Sequence, residues 1–278
     1  MAEPTFMLTQ VLTQGYRHLL WQTFFAERQR GFSLEDHFLR LAQPDEAIRY
    51  GVLEVGHETI AGMTVRKLPP AAGSTQPPQA AALGMVCVAC PHRGQGLATQ
   101  LLKQSMAALA TQGINAFTLW TGKPTVYQSL GFVPADLGLL AWVKGLPNLA
   151  GDESVAWARC WPDAQERDLQ RRGLPPFALG AQRVSTPDRG ASAVLLSDPR
   201  GFAVAEWSGP TGAVVDLLAG LMPPAWRLHA IAGDELPTEL ARRGAQVEQE
   251  PTSSQMWCAP GPPLDWTTRY PLRLLDRI

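Results

Sequence analysis

Apolar residues recur at helical spacing between Thr13 and Arg30, where Tyr16, Leu19, Leu20, Phe24 and Phe25 share one side. Ser33, followed by Glu35 and Asp36, reads as the start of a second helix running to about Ala42. Strand-forming runs then take over. Arg49 to Val55 and Thr59 to Leu68 predict a hairpin around Gly56-His57. Leu68 to Gln79, with Pro69, Pro70, Pro77 and Pro78, predicts an extended loop of more than ordinary length. Such a loop either covers a binding site or is a solvated insertion. Leu83 to Val88 predicts a strand, about Gly96 to Gln112 a helix stopped by Gly113, and Ile114 to Trp120 a further strand. A short helix from Pro124 to Leu130 ends at Gly131, before Phe132-Val133.

The second half shows the same rhythm with different residues. Ala191 to Ser197 and Gly201 to Trp207 form a predicted hairpin around Asp198-Pro199-Arg200-Gly201. Gly212 to Met222 reads as a helix, Trp226 to Ala232 as a strand, and Leu236 to Arg243 as a short helix. Gly244-Ala245-Gln246-Val247 then falls where Gly131-Phe132-Val133 falls earlier. Gly145-Leu146-Pro147-Asn148 to Glu153 punctuates the join, which sets a boundary at 147/148.

Chemistry concentrates where the strand ending at Val88 meets the helix near Gly96. The order strand, glycine turn, helix aims free N–H groups and the positive end of a helix dipole at one point, which suits a phosphate. Gly94 and Gly96 let an anion approach the backbone, Ala98 keeps the first helical turn slim, and Arg93 adds a fixed positive charge. The spacing is neither the dinucleotide fingerprint nor the Gly-Lys-Ser/Thr phosphate loop, so the turn alone also admits a purely connective role.

Arg93-Gly94-Gln95-Gly96-Leu97-Ala98, with Val88 five residues upstream and Tyr127-Gln128-Ser129-Leu130-Gly131-Phe132 downstream, resembles the GNAT acetyltransferase superfamily. The likeness covers residues 45 to 136 well and 5 to 44 more loosely. It implies a mixed α/β fold, with acetyl-CoA as acyl donor. Under it the N–H groups of Arg93, Gly94, Gln95, Gly96, Leu97 and Ala98 hold the pyrophosphate. The strand Val86-Cys87-Val88 pairs with the pantetheine arm, and one of its N–H groups polarises the thioester carbonyl. Tyr127 donates a proton to the leaving thiolate, or else its ring only packs on the sheet. The expected reaction is acetyl transfer to a primary amine of a small molecule by direct attack in a ternary complex. O-acetylation, a longer acyl group, and a non-catalytic acetyl-CoA sensor or scaffold stay open. Where many family members carry an Asn, this chain has Trp120-Thr121-Gly122-Lys123-Pro124. Among carboxylates near the cofactor strand, Glu54 is the candidate base, with water-mediated deprotonation as the other route.

The resemblance also gives the second half a meaning: residues 1–147 become a catalytic GNAT domain and 148–278 a degenerate GNAT-like domain. Its counterpart of the glycine turn, Ser208-Gly209-Pro210-Thr211-Gly212, has no arginine, and no tyrosine matches Tyr127. An unrelated α+β domain is the other reading.

Charge and cysteines narrow the partners. Lys and Arg number 24 against 25 Asp and Glu, so no long-range field draws nucleic acid or anionic lipid. No apolar run reaches the roughly 18 residues of a membrane span, and Met1-Ala2-Glu3-Pro4 lacks a signal-peptide pattern. A cytoplasmic protein, monomer or homodimer, is expected. Cys87-x-x-Cys90 invites a zinc or redox reading, but only His92 lies close enough to join it, and no metal is expected.

Overall fold

A computed structural model describes residues 3–26, 34, 45–69, 79–147, 175, 178–188 and 190–277. The helix expected over Ser33–Ala42 and most of the Pro-rich loop lie outside these residues.

The first sheet has seven strands in the order β1-β2-β3-β4-β5-β13-β6, and the second has six in the order β12-β7-β11-β10-β9-β8. In the first sheet these are β1 (Thr5–Thr9), β2 (Ile48–Val55), β3 (Glu58–Lys67), β4 (Ala80–Val88), β5 (Ala116–Trp120), β13 (Gln255–Cys258) and β6 (Val133–Pro134). The second comprises β12 (Gln246–Pro251), β7 (Gly138–Lys144), β11 (Ala225–Ile231), β10 (Gly201–Ser208), β9 (Ser192–Asp198) and β8 (Gly180–Ser185). Six strands correspond in place: β2-β3-β4-β5-β13-β6 matches β8-β9-β10-β11-β7-β12. The one parallel contact in each sheet, β4 with β5 and β10 with β11, occupies the same position. The mixed α/β architecture and the tandem arrangement are therefore both present.

The two sheets exchange a strand. β7 follows β6 in the chain, yet it lies between β11 and β12 of the second sheet. β13 follows β12 and lies between β5 and β6 of the first. Each sheet is thus built from both parts of the chain, and a cut at 147/148 does not separate them. The two crossing connections are tied at Asp136. Its carboxylate accepts from Gly138 N–H (2.7 Å), Thr252 Oγ1 (2.6 Å), Ser254 N–H (2.7 Å) and Gln255 N–H (3.0 Å). Burial raises the Asp136 pKa, but these donors outweigh burial and hold it below the usual carboxylate range.

Helices cover both faces of the first sheet. α1 (Gln14–Phe24), capped by the Thr13 hydroxyl accepting from Tyr16 N–H, buries Tyr16, Leu19 and Leu20 against Tyr50, Val52, Met85 and Cys87. α2 (Leu97–Ala110) covers the other face, placing Leu97, Leu101, Leu102 and Leu109 over Leu53, Met63, Val65 and Leu83. α3 (Pro124–Gln128) is a single turn after β5. In the second sheet α4 (Thr211–Leu221) and α5 (Leu236–Arg242) bury the equivalent face. α6 (Pro263–Arg269) returns to the first sheet, where Trp266 and Tyr270 stack near Trp257. Among the described residues no helix is long and apolar enough to cross a membrane.

Candidate active site

β4 and β5 pair in parallel only at Ala80, Ala81 and Ala82. Beyond Ala82 the strands part, opening a slot along the C-terminal half of β4. The β3–β4 register shifts here: Gly62 faces Cys87 and Thr64 faces Gly84, so Met85 and Val86 oppose Met63 alone. This is a β-bulge, and Met85 takes a left-handed φ of 50° within it. Past the bulge, Ala89 N–H donates to Ile60 O (2.8 Å), which marks a hydrogen-bonded pair. By alternation, the Val88 peptide groups, and those of Val86 two residues earlier, point away from β3 toward the slot.

Tyr16 holds the bulge from behind. Its ring lies against Gly62, where a Cβ would come within 2.1 Å of the ring. Its hydroxyl donates to Met85 O (3.0 Å) and lies 3.0 Å from Thr64 Oγ1. The side chain is fully buried, and burial raises its pKa well above the tyrosine norm. Sequence reasoning placed Tyr16 only on a helical face. The available signal was Gly62, a glycine inside a strand-forming run, which marks close approach.

The glycine turn follows. Gly94 and Gly96 have φ of 80° and 74°, and nothing lies within 4 Å of a Cβ built on either. These glycines answer a backbone requirement and face open space. No acceptor among the described residues takes the N–H groups of Gly94, Gln95 or Gly96. Leu97 and Ala98 begin α2, where N–H groups have no intrahelical partner. Arg93 is exposed, and its Nε donates to Val88 O (3.1 Å), anchoring the guanidinium at the end of β4. A phosphate-bearing thioester fits this arrangement: an open cradle of N–H groups, a cation beside it, and a strand edge leading inward.

Tyr127 stands on α3, half-buried, its ring edge-on to Phe132 (6.1 Å) and in the apolar cluster with Val86 and Val88. Burial raises its pKa, so the phenol stays protonated at neutral pH. None of the described residues hydrogen-bonds its hydroxyl. Glu54 lies elsewhere, on the face that carries α1. Its Oε1 accepts from Thr59 Oγ1 (3.1 Å), and Thr59 crowds Gly15 of α1. The structure thus gathers Val86, Val88, Arg93 to Ala98 and Tyr127 around the slot and turn, while Glu54 sits at the β2–β3 hairpin end, bonded to Thr59.

The Cys87 side chain is directed away from solvent, near Gly62 O (3.8 Å); burial pushes its thiol up to about 12. Cys90 is exposed in the 3-10 turn Cys90–His92. Among the described residues no group of His, Cys, Asp or Glu is arranged to hold a metal ion.

Slot, bulge, glycine turn and Tyr127 thus lie together at the β4–α2 end of the first sheet. The family model described as an acetyltransferase (GNAT) domain matches residues 13–135. Solved structures extend the likeness across both sheets. A GCN5-related N-acetyltransferase from Anabaena variabilis has a TM-score of 0.61 at 14% identity, over 91% of this chain and 72% of that one. One from Kribbella flavida scores 0.57 at 16% identity, covering 91% and 71%. Eis1 from Mycobacterium abscessus scores 0.57 at 15%, covering 92% and 73%. At these identities the similarity is one of fold. No curated protein matches by sequence.

Proposed function

We propose that the chain transfers an acetyl group from acetyl-CoA to the primary amine of a small molecule, by direct attack in a ternary complex. The observation that carries this reading is the open glycine turn at the end of a strand whose free edge faces a slot. N–H groups of residues 94–98 and the Arg93 guanidinium would receive the pyrophosphate. Val86 and Val88 would hydrogen-bond the pantetheine arm as an added strand. An N–H at the bulge would stabilise the oxyanion as the amine nitrogen attacks the thioester carbonyl. As the carbon–sulfur bond breaks, Tyr127 gives its proton to the sulfur. The proton released by the amine leaves through water and restores the phenol. Glu54, engaged with Thr59, plays no direct part in this scheme. Residues 1–147 supply the acetyl-CoA contacts in this reading, and the rest of the chain supplies β13, α6 and the second sheet apart from β7.

Replacing Tyr127 by Phe tests the acid role. Turnover at saturating substrate should fall by about 10²-fold or more, with acetyl-CoA affinity held within about twofold. Unchanged turnover would remove Tyr127 from the chemistry. Glu54→Gln should leave kcat within about threefold; a larger loss would restore Glu54 as the base.

A further inference from the structure

The last described residues form a strap across the first sheet, on the face opposite α2. Arg66 on β3 donates from Nη2 to Asp276 O (2.7 Å) and lies 3.5 Å from the Asp276 carboxylate. One residue later, the Arg277 guanidinium sits over the Trp120 ring at the end of β5 (5.7 Å). β4 runs between these two anchors. Arg66 pairs with Ala82, the residue where β5 stops pairing with β4. The strap therefore crosses the sheet where the slot begins.

Several polar atoms at this crossing have no partner among the described residues. Trp120 Nε1, Arg277 Nε and both ring nitrogens of His229 are buried, and none of the described residues hydrogen-bonds them. His229 reaches this place from the second sheet. Arg277 Nη2 stands 3.4 Å from the Cβ position on Gly138, and Gly138 pairs with Ile231, two residues from His229 on the same face of β11. Carboxylates nearby are already engaged. Asp136 takes the connection donors described above, and Asp276 meets Arg66. Asp198 is held by Arg227 (2.7 Å) and by Arg200 N–H (2.7 Å). Burial, then the charges of Arg277 and Arg227, lowers the His229 pKa to about 4, so its imidazole is neutral at pH 7.

An arginine fork and an indole N–H donate and cannot accept. Asp136 is the carboxylate whose charge reaches Arg277, yet none of the described residues bonds the Arg277 Nε–H or the indole N–H, and together they suit an oxygen anion of carboxylate geometry. Resting on the acyl-transfer reading above, we propose that Arg277, Trp120 Nε1 and His229 receive a carboxylate on the acceptor. The amine substrate is then an amino acid or another amine that bears a carboxylate. This binding place exists only because the strand exchange brings the second sheet and the C-terminal strap against the first.

Matched acceptor pairs test the inference on the full chain with acetyl-CoA: phenylalanine and phenethylamine, leucine and isopentylamine, lysine and cadaverine. The carboxylate-bearing member of at least one pair should show the higher kcat/KM. Arg277→Met should shrink that preference roughly 10- to 100-fold, the worth of a charge-assisted hydrogen bond, and Arg277→Lys should recover part of it. Absence of any preference, or equal losses for both members in Arg277→Met, would overturn the proposal. Calorimetric titration of the same acceptors into CoA-loaded protein reads the site without turnover. Binding of a carboxylate-bearing acceptor that Arg277→Met abolishes supports the inference, and no binding by any of them overturns it. Binding without turnover would count against the acyl-transfer reading alone.

Discussion

The two sheets share strand order, a parallel pair in the same place and a bulge beside it, yet their strand-to-helix junctions differ completely. In the first, residues 89–96 separate β4 from α2, and its two left-handed glycines face open space. In the second, Gly209 and Pro210 alone separate β10 from α4. A Cβ on Gly209 would stand 2.2 Å from Gly190 O, so backbone fills the place where a ligand would need room. At the start of α4, Thr211 Oγ1 lies 3.3 Å from Glu235 Oε2, putting a carboxylate beside the helix end that an anion would seek. The bulge survives in both sheets, at Met85 in β4 and between Val204 and Glu206 in β10. Room for an anion is thus a property of the junction grafted on the fold, not of the fold itself.

Glycine substitutions separate the two junctions most sharply. Gly96→Val puts a β-branched residue at φ 74° and side-chain bulk where the pyrophosphate would lie. Acetyl-CoA affinity should fall by about 100-fold or more by calorimetry, with a stability cost of about 1–2 kcal/mol. Gly209→Ala should do the reverse. The clash with Gly190 and the φ of 104° should cost about 2–4 kcal/mol in thermal or urea unfolding. Acetyl-CoA affinity of the folded fraction should hold within about twofold of the parent.

Asp136 ranks next, because it joins the two halves under comparison. Asp136→Ala leaves Ser254, Gln255 and Gly138 N–H groups without their acceptor and should cost about 2–3 kcal/mol in unfolding experiments. Its depressed pKa also fixes a sign with pH. The folded value lies below the unfolded value near about 3.9, so the stabilisation is present above that pH. It is lost as pH falls through the folded value. Asp136→Asn should flatten this acid limb; an unaltered limb would remove Asp136 from the acid response.

The smallest effect belongs to Glu235. Glu235→Gln should change stability by less than about 0.5 kcal/mol, since its bond with Thr211 is exposed. It should not create a second CoA site, because Gly190 still blocks the junction.

Local pattern carried much of this fold. The hairpin β2–β3, the strand into Val88, helices α1, α2 and α4, and strand β11 stand where apolar spacing and stop glycines placed them. What local pattern could not carry was long-range pairing. β7 is a continuous apolar run, Leu-Leu-Ala-Trp-Val, closed by Lys144, and nothing within Gly138–Lys144 says that its neighbours are β11 and β12. β13 is four residues, Gln-Met-Trp-Cys, too short for a periodicity to show. The same limit applied to the site. Arg93, Gly94, Gly96 and Tyr127 could be nominated from spacing, since one turn and one helix set them. Tyr16 meets Met85 across a sheet, and Arg277 meets Trp120 across more than half the chain.

Titration of the full chain with acetyl-CoA tests the central contrast most directly. The account predicts one binding event per chain, abolished by Gly96→Val and retained by Glu235→Gln. Two equivalents per chain, or one that survives Gly96→Val, would contradict it.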